Sequence, residues 1–199
     1  MDFQDNVYDI LFRNTKALSI ALGYRDLMTR LHSERVQGLS EEIGVRYGLN
    51  EEKLSALRMS SSFHDIGKIG TPDYILLKTE QFNEDEWKVM KQHPEIGERI
   101  VLSTELEGSQ MAALAIRHHH EHFDGDGYPD RLSGAEIPIC SRIISIADSY
   151  DAMAVTRSYH KARPHSEIME ILRAETGKKH DPQLMKIFVD FIEDSQYKA

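Results

Sequence analysis

The sequence predicts an all-α protein, and three observations support this prediction. Apolar residues recur at helical spacing, the apolar stretches end at glycine or proline, and no run alternates apolar and polar residues over the length of a strand. The chain has 199 residues, of which 40% are hydrophobic. That length allows one well-buried core but not two full domains. We therefore expect a single helical bundle.

Glycine residues divide the beginning of the chain into two predicted helices. Residues 2–22 predict a first helix that ends near Gly23, and residues 25–47 predict a second helix that ends at Gly48. The second helix includes a histidine, His32, which lies among apolar neighbours. The apolar residues expected on its buried side are Leu31, Val36, Leu39 and Ile43.

Polar residues mark the starts of the next predicted helices. Asn50 is suited to cap a third helix, which continues to the pair His64 and Asp65 and breaks at Gly67. Asn83 is followed three residues later by a glutamate, which is the spacing of a capping box. The His-Asp pair is therefore expected at the end of a helix.

The second half of the chain alternates helices with one long loop. Residues 105–120 predict a helix, and residues 123–135 are too rich in glycine and aspartate to continue it. Residues 138–156 form a strongly apolar predicted helix, and Asp181 followed by proline predicts the start of the last one. The residues of the first of these helices that favour burial are Met111, Leu114, Ala115 and Ile116.

Composition excludes several classes of function. A net charge of −9 argues against a general binder of nucleic-acid polymers, although a bound metal cation could still attract a small anionic ligand. Charged residues among the first twenty positions lead us to expect no signal peptide, and none of the apolar stretches approaches the ~18 residues that a membrane helix needs. Because Cys140 is the only cysteine, no intramolecular disulfide can form, and we expect a cytoplasmic protein.

Histidine and aspartate residues in apolar surroundings predict a metal site. An unpaired carboxylate or a cluster of imidazoles would be costly to bury, and metal ions would remove that cost. Nitrogen and oxygen ligands without cysteine suit iron, manganese or another first-row ion better than a structural zinc. The residues concerned are His32, His64, Asp65, His93, His119, His120 and Asp148.

The adjacent residues His64 and Asp65 suggest a site with two ions. Neighbouring side chains point about 100° apart on a helix, so Asp65 could bridge two ions. A pair of ions with a bridging carboxylate is an arrangement used for phosphoester hydrolysis. Spacing alone leaves the histidine register open, because His118 could pair with His119 as well as His120 can.

Two segments combine histidine, aspartate and glycine in a specific order: residues 64–70 read HDIGKIG, and residues 124–129 read DGDGYP. They resemble the signature motifs of the HD-GYP family. Three further segments, QHP at 92–94, HHE at 119–121 and RIISIAD at 142–148, occur in the family's order, so the resemblance covers roughly residues 25–190. It implies an HD-type helical bundle with a Gly-Tyr-Pro loop beside a two-metal site, which hydrolyses cyclic di-GMP to pGpG. Whether pGpG is cut further to GMP stays open.

The resemblance also implies how the ligands are shared between two divalent ions. Met28 occupies the position where some members of the family have a glutamate for a third metal, which favours two ions here. Iron and manganese are the metals expected first, and cobalt and nickel are also compatible. The implied ligands are His32, His64, Asp65 and Asp148 for the first ion, and bridging Asp65, His93, His119 and His120 for the second.

Substrate contacts are the least specific part of the resemblance. Catalytic roles are implied for Asp65 and Lys68, but His160 and His122 depart from basic positions of the family. The purely structural alternatives are that Lys68 is a solvated loop lysine, that Tyr128 only braces the loop, and that Asp148 is a buried partner of Arg142. The expected substrate contacts are Lys68, Tyr128, Asp151, Arg157, His160 and Lys161.

The resemblance leaves the substrate and the partners open. The same site would suit 3′3′-cGAMP, and a weakly catalytic version would be a cyclic-dinucleotide sensor or a module that docks on a GGDEF-type protein through its Gly-Tyr-Pro loop. We divide the chain into an N-terminal helix, residues 1–24, through which it could form a homodimer or dock, and a catalytic domain, residues 25–199.

Overall fold

The computed structural model describes residues 7–155 and 161–198. These ranges contain α-helices and two short 3-10 helices but no β-sheet, since the one β-bridge is isolated. The all-α prediction is therefore confirmed. The α-helices are α1 (Val7–Arg25), α2 (Leu27–Tyr47), α3 (Glu51–Phe63), α4 (Asp73–Leu76), α5 (Glu84–Met90), α6 (His93–Leu102), α7 (Ser109–Arg117), α8 (Ile139–Ala154), α9 (His165–Glu175) and α10 (Pro182–Ile192), and the 3-10 helices are Ile66–Gly70 and Gly134–Glu136.

The boundary between α1 and α2 lies at an aspartate. Gly23 does not end α1, which continues to Arg25, so the predicted end was wrong by two residues. Asp26 caps α2 because its carboxylate accepts hydrogen bonds from the backbone nitrogens of Met28 and Thr29, at 3.0 Å and 3.3 Å. The predicted end of α2 is confirmed, since Gly48 has a φ of 87°, which favours glycine.

Side-chain caps begin the helices where the sequence predicts them. Asn50 accepts a hydrogen bond from the backbone nitrogen of Lys53, and Asn83 and Glu86 form a complete capping box. Asp181 caps α10 in the same way. These caps satisfy backbone N–H groups that have no partner within the helix.

The helix predicted over residues 105–120 is shorter than expected. It begins only at Ser109, because Glu105 and Gly108 have positive φ angles of 54° and 80°. It ends at Arg117, and His118 to His120 lie in turns. The three consecutive histidines are therefore presented by a loop and not by the helix itself.

Two hydrophobic clusters form the core, and α3 contributes to both. Leu57 of α3 packs with residues of α2, α8, α9 and α10, among them Ile43 and Phe188. Met59 and Phe63, on another side of α3, pack with residues of α1, α6 and α7. Helix α3 therefore lies between the two clusters.

Three residues that we predicted to be buried are exposed. Leu31, Met111 and Leu114 are 36%, 38% and 46% exposed, whereas their predicted companions Val36 and Ile116 are fully buried. The apolar stripes of α2 and α7 are narrower than the sequence suggests, because each helix packs only along one side. Among the described helices, none combines the length and apolar character needed to cross a membrane.

Candidate metal centre

Five segments of the chain bring histidine and aspartate side chains to the end of α3. His32 comes from the second turn of α2, and His64 and Asp65 follow the last turn of α3. The remaining side chains come from the first residue of α6, from the turn after α7 and from α8; they are His93, His119, His120 and Asp148. All seven residues that we predicted to bind metal are therefore neighbours in the fold.

A backbone contact sets the distance between Asp65 and His93. The 3-10 helix Ile66–Gly70 lies directly on α6, so a Cβ atom at Gly67 would be 1.9 Å from the carbonyl oxygen of His93. At Gly67 the close approach is to another helix, and it holds the two ligand-bearing segments together.

The two carboxylate oxygens of Asp65 face different groups of histidines. Its Oδ2 atom lies 3.5 Å from His64 Nε2 and 3.9 Å from His32 Nε2. Its Oδ1 atom lies 3.4 Å from His93 Nε2. Asp65 is thus the shared member of two ligand groups.

The first group contains two histidines and a second carboxylate. Asp148 Oδ1 lies 2.9 Å from His32 Nε2 and 4.0 Å from His64 Nε2. The ligand atoms of these three residues all lie within 4.8 Å of one another, a spacing that suits one metal ion. Asp148 is not the partner of Arg142, which instead pairs with Asp181 at 2.6 Å.

The second group contains three histidines. Ligand atoms of His93, His119 and His120 lie within 4.8 Å of one another, and the Nε2 atoms of His93 and His119 are 3.4 Å apart. His118, the alternative that spacing left open, lies elsewhere. Its ring nitrogens contact the carbonyl oxygen of Leu114 and the carboxylate of Asp130.

Hydrogen bonds at Nδ1 orient the rings so that Nε2 is directed at the centre. The Nδ1 atoms of His64, His93 and His119 lie 2.7 Å, 2.8 Å and 2.6 Å from the carbonyl oxygens of Ser61, Met90 and Ile116. An Nδ1–H group that donates to a carbonyl leaves a lone pair on Nε2 for a metal. Within the described chain, the buried His64 Nε2 atom has no hydrogen-bond partner.

His32 is oriented by a carboxylate instead. Its Nδ1 atom lies 2.6 Å from Asp151 Oδ2, and Arg35 donates hydrogen bonds to both oxygens of Asp151, at 2.6 Å and 3.0 Å. We predicted a substrate contact for Asp151. The structure buries it, and its oxygens are engaged by His32 and Arg35.

Burial and charge shift the protonation of the centre toward the form that binds metal. Burial lowers the pKa of His93 to about 4 and that of His119 to about 3, so both imidazoles are neutral at pH 7. Burial opposes ionisation of Asp65, but Lys68 and the neighbouring imidazoles outweigh it and hold the pKa of that carboxyl well below its usual value. His93, His119 and Asp65 therefore offer neutral nitrogens and an ionised oxygen, the donor set that a divalent cation requires. His32 differs, because burial is outweighed by hydrogen bonds to Asp148 and Asp151, which raise the pKa of its imidazole.

The centre opens into a cleft of about 500 Å³. Lys68 lines this cleft, and its Nζ atom lies 2.7 Å from Asp65 Oδ2. Lys68 is therefore a partner of the shared carboxylate and not a solvated loop lysine. The opening beside the ligands gives a small substrate access to the centre.

The loop with the sequence Gly-Tyr-Pro forms one side of the cleft. The ring of Tyr128 stacks on His120, with centroids 4.9 Å apart and planes at 27°. Asp130, two residues later, accepts hydrogen bonds from Arg117 through both its oxygens. Tyr128 both lines the cleft and anchors the loop on a predicted metal ligand.

The segment after α8 leaves part of the substrate prediction outside the described residues. Arg157 and His160 lie in residues 156–160, outside the described ranges, and Lys161 is exposed at the start of the next range.

The sequence analysis missed Arg35, which holds Asp151. A signal existed, because Arg35 follows His32 by three residues and so lies on the same side of α2.

Comparison with known proteins identifies the family. The chain belongs to the HD domain family, whose model matches residues 17–184. Phosphohydrolases with this domain depend on metals, which agrees with the clustered histidine and aspartate groups. The expected family and its helical fold are therefore confirmed.

Curated relatives are named for the hydrolysis of cyclic dinucleotides. A cyclic di-GMP phosphodiesterase of Thermotoga maritima is 37% identical over 94% of this chain and 51% of its own length. A 3′3′-cGAMP-specific phosphodiesterase 2 of Vibrio cholerae is 36% identical over 87% of this chain and 33% of its own length. This chain thus spans about half, or less, of the length of these relatives.

A solved structure confirms the fold. The crystal structure of a cyclic GMP-AMP specific phosphodiesterase from Vibrio cholerae matches with a TM-score of 0.69. The match covers 96% of this chain and 50% of the other, at 20% sequence identity.

Proposed function

We propose that this chain is a metal-dependent phosphodiesterase that hydrolyses cyclic di-GMP to linear pGpG and then to GMP. The observation that supports it most is the position of Asp65, whose two oxygens face two adjoining groups of candidate ligands at the floor of a cleft. One member of each group, His64 and His119, also lies with Asp65 so that their ligand atoms are within 4.8 Å of one another. A carboxylate shared by two ligand groups would suit two cations, one in each group.

The ligand set that we propose is the one the sequence predicts. His32, His64 and Asp148 would hold one divalent ion, and three histidines, His93, His119 and His120, would hold the other, with Asp65 shared. Two bound cations supply Lewis-acid polarisation of a phosphoryl oxygen and activation of a water molecule. Iron and manganese are the metals we expect first, and these nitrogen and oxygen donors are also compatible with cobalt and nickel.

The protein's own groups then have distinct roles. Water adds across one phosphodiester linkage: a new P–O bond forms, the P–O3′ bond breaks, and the product has a 5′-phosphate and a 3′-hydroxyl. Lys68, which lies in the cleft beside Asp65, offsets negative charge on the phosphoryl oxygens as the bond breaks. Asp151 and Arg35 fix the ring of His32 and do not touch the substrate.

The test combines metal content with turnover in one sample. Protein purified without chelator should contain close to two metal ions per chain by elemental analysis and should convert cyclic di-GMP to pGpG. Removal of the metals with a chelator should abolish turnover, and added Mn²⁺ or Fe²⁺ should restore it. Metal-loaded protein that binds cyclic di-GMP without hydrolysing it would instead support a sensor.

A second substrate has support from the relatives. Because some of them are named 3′3′-cGAMP phosphodiesterases, this nucleotide is the first alternative. Turnover of both nucleotides by the same preparation, compared as kcat/KM, would decide between them. Homodimer formation through residues 1–24 and docking on a GGDEF-type protein stay predictions.

A further inference from the structure

The outer wall of the cleft differs chemically from its floor. Phe82, Trp87 and Met90 line the same cleft as the ligands Asp65 and His93. Trp87 is 47% exposed, although the indole ring is among the largest apolar groups in proteins. A large aromatic surface left open beside a polar centre indicates a binding site for a flat apolar group.

The position of Trp87 ties this wall to the metal centre. Trp87 lies three residues before Met90, so the two side chains share one side of α5. The carbonyl oxygen of Met90 lies 2.8 Å from His93 Nδ1 and orients that ring. The helix that presents the indole is therefore the one that positions a predicted ligand.

A second ring supports the indole. Phe82 meets Trp87 edge to face, with centroids 5.5 Å apart and planes at 79°. Such a pair is more favourable than its buried area alone implies, because the positive ring edge meets the negative ring face. The contact packs Phe82 against Trp87 in the lining of the cleft.

The charges around the wall suit an anion that carries an aromatic ring. Lys91 Nζ lies 5.9 Å from the centroid of Trp87 and 5.2 Å from that of Tyr128. Lys78, which also lines the cleft, is paired with Glu86 at 2.6 Å. The charge that remains facing both rings is that of Lys91.

We propose that Phe82 and Trp87 form a stacking wall for one purine base of the substrate. The inference rests on the proposed function, since a cyclic dinucleotide has both a phosphodiester for the centre and a base within reach of the cleft wall. Stacking on an aromatic ring tolerates every base, because each has a π-face. The wall therefore strengthens binding of cyclic di-GMP and 3′3′-cGAMP alike and does not choose between them.

A direct test uses Trp87 as its own reporter, since it is the only tryptophan in the chain. A slowly hydrolysed phosphorothioate analogue of cyclic di-GMP, titrated into the metal-loaded protein, should quench tryptophan fluorescence with saturation. Diethyl phosphate, a phosphodiester without a base, should leave the emission unchanged. Saturable binding by calorimetry without any change in emission would overturn the inference.

A kinetic test separates binding of the base from the chemical step. Trp87→Ala should raise KM for cyclic di-GMP and for 3′3′-cGAMP by a similar factor, roughly tenfold, with kcat nearly constant. Trp87→Phe should recover most of the loss, because it keeps an aromatic face. Tyr74→Ala removes an aromatic ring that is 70% exposed outside the cleft and is the matched control, expected to match the wild type.

The outcomes distinguish this inference from the proposed function. Methyl 2,2,2-trifluoroethyl phosphate has no aromatic ring to stack on the wall, so its hydrolysis by Trp87→Ala should equal that of the wild type. An equal loss on this substrate and on cyclic di-GMP would indicate damage to the centre and overturn the wall. Quenching by the analogue in a protein that hydrolyses no cyclic dinucleotide would support the wall and overturn the function. Full turnover of cyclic di-GMP with an unchanged KM in Trp87→Ala would support the proposed function and overturn the wall.

Discussion

The two ligand groups that share Asp65 differ in charge and in how their rings are held. The first group adds a second carboxylate, Asp148, to its histidines, and His32 is oriented by the carboxylate of Asp151. The second group adds only imidazoles, and backbone carbonyl oxygens orient two of them, His93 and His119. The first half of the centre therefore combines side-chain charge with one backbone contact, that of His64, whereas the second has backbone contacts at His93 and His119 and no carboxylate of its own.

This difference indicates that the two halves should respond differently to substitution. A cation gains more from two ionised carboxylates than from one, and a carboxylate can be removed by mutation whereas a backbone carbonyl cannot. We expect the wild type to hold the first ion more tightly than the second. We also expect single substitutions to remove the first ion more easily, because its affinity depends on carboxylates that mutation can replace.

The largest effect is expected where the two groups meet. Asp65→Ala removes the shared carboxylate and leaves imidazoles around a centre with too little negative charge. Metal content should fall from about two ions per chain to near zero by elemental analysis, and turnover of cyclic di-GMP should be abolished. Retention of both ions with activity would show that Asp65 is not shared.

A substitution in the first group alone should remove one ion. Asp148→Asn keeps the shape of the side chain but loses its charge, so the content should fall to about one ion per chain. The remaining ion should be at His93, His119 and His120. Asp190→Asn, an exposed aspartate on α10, is the control and should retain both ions. Loss of both ions in Asp148→Asn would contradict the idea that the two ligand groups hold their ions independently.

Lys68 lies at the shared carboxylate but is proposed to act on substrate. Lys68→Ala should keep both metals and lower kcat by roughly 10²-fold, the loss typical of one group that stabilises transition-state charge. Lys88→Ala, an exposed lysine on α5 that pairs with Asp85, should have no effect. If elemental analysis finds that metal is lost with Lys68, the role of this lysine is structural.

The orienting carboxylate allows a milder test of the first group. Asp151→Asn should weaken the first ion by roughly 10- to 100-fold, the usual cost of losing an outer partner of a ligand histidine. Affinities measured by competition with a metal chelator should change for one of the two ions only. Equal weakening of both ions would mean that Asp151 supports the whole centre.

The smallest effect concerns the metal-free protein in acid. Burial lowers the pKa of His93 to about 4 in the folded state, against ~6.5 when it is unfolded. Between these values the unfolded chain binds a proton that the folded chain does not, so the free energy of unfolding should fall as pH drops from about 6.5 toward 4. The free energy of unfolding can be measured by denaturant titration at several pH values, with chelator present. Between about pH 4 and about 6.5 it should change less steeply with pH in His93→Gln than in the wild type. Equal slopes would exclude His93 as the cause.

The sequence predicts the floor of the cleft better than its wall. Charged or imidazole side chains in apolar helices, such as Asp65 and His119, have few explanations other than a metal, so their chemistry can be read before the fold is known. Trp87 and Phe82 escaped notice because an apolar residue in a helix is usually a core residue. Only the exposure of Trp87 in the structure sets it apart.

Helix ends were predicted well where a side chain marks them and poorly where the backbone alone decides. Asn50 and Asn83 cap helices through side-chain oxygens, a signal that is legible in the sequence. The late start of α7 depends on a positive φ at Glu105, a conformation that glutamate rarely adopts and that no local pattern indicates. Tertiary packing determines such positions.

The contact at Gly67 has a consequence for how the protein tolerates change. Because the 3-10 helix meets α6 backbone to backbone, the separation of Asp65 and His93 does not depend on the size of any side chain between them. Substitutions that enlarge or shrink the two hydrophobic clusters can therefore alter the melting temperature while the spacing of the ligand groups stays the same. Substitutions in the core can therefore change the stability of such a protein without changing the distance between its ligand groups, as long as position 67 remains glycine.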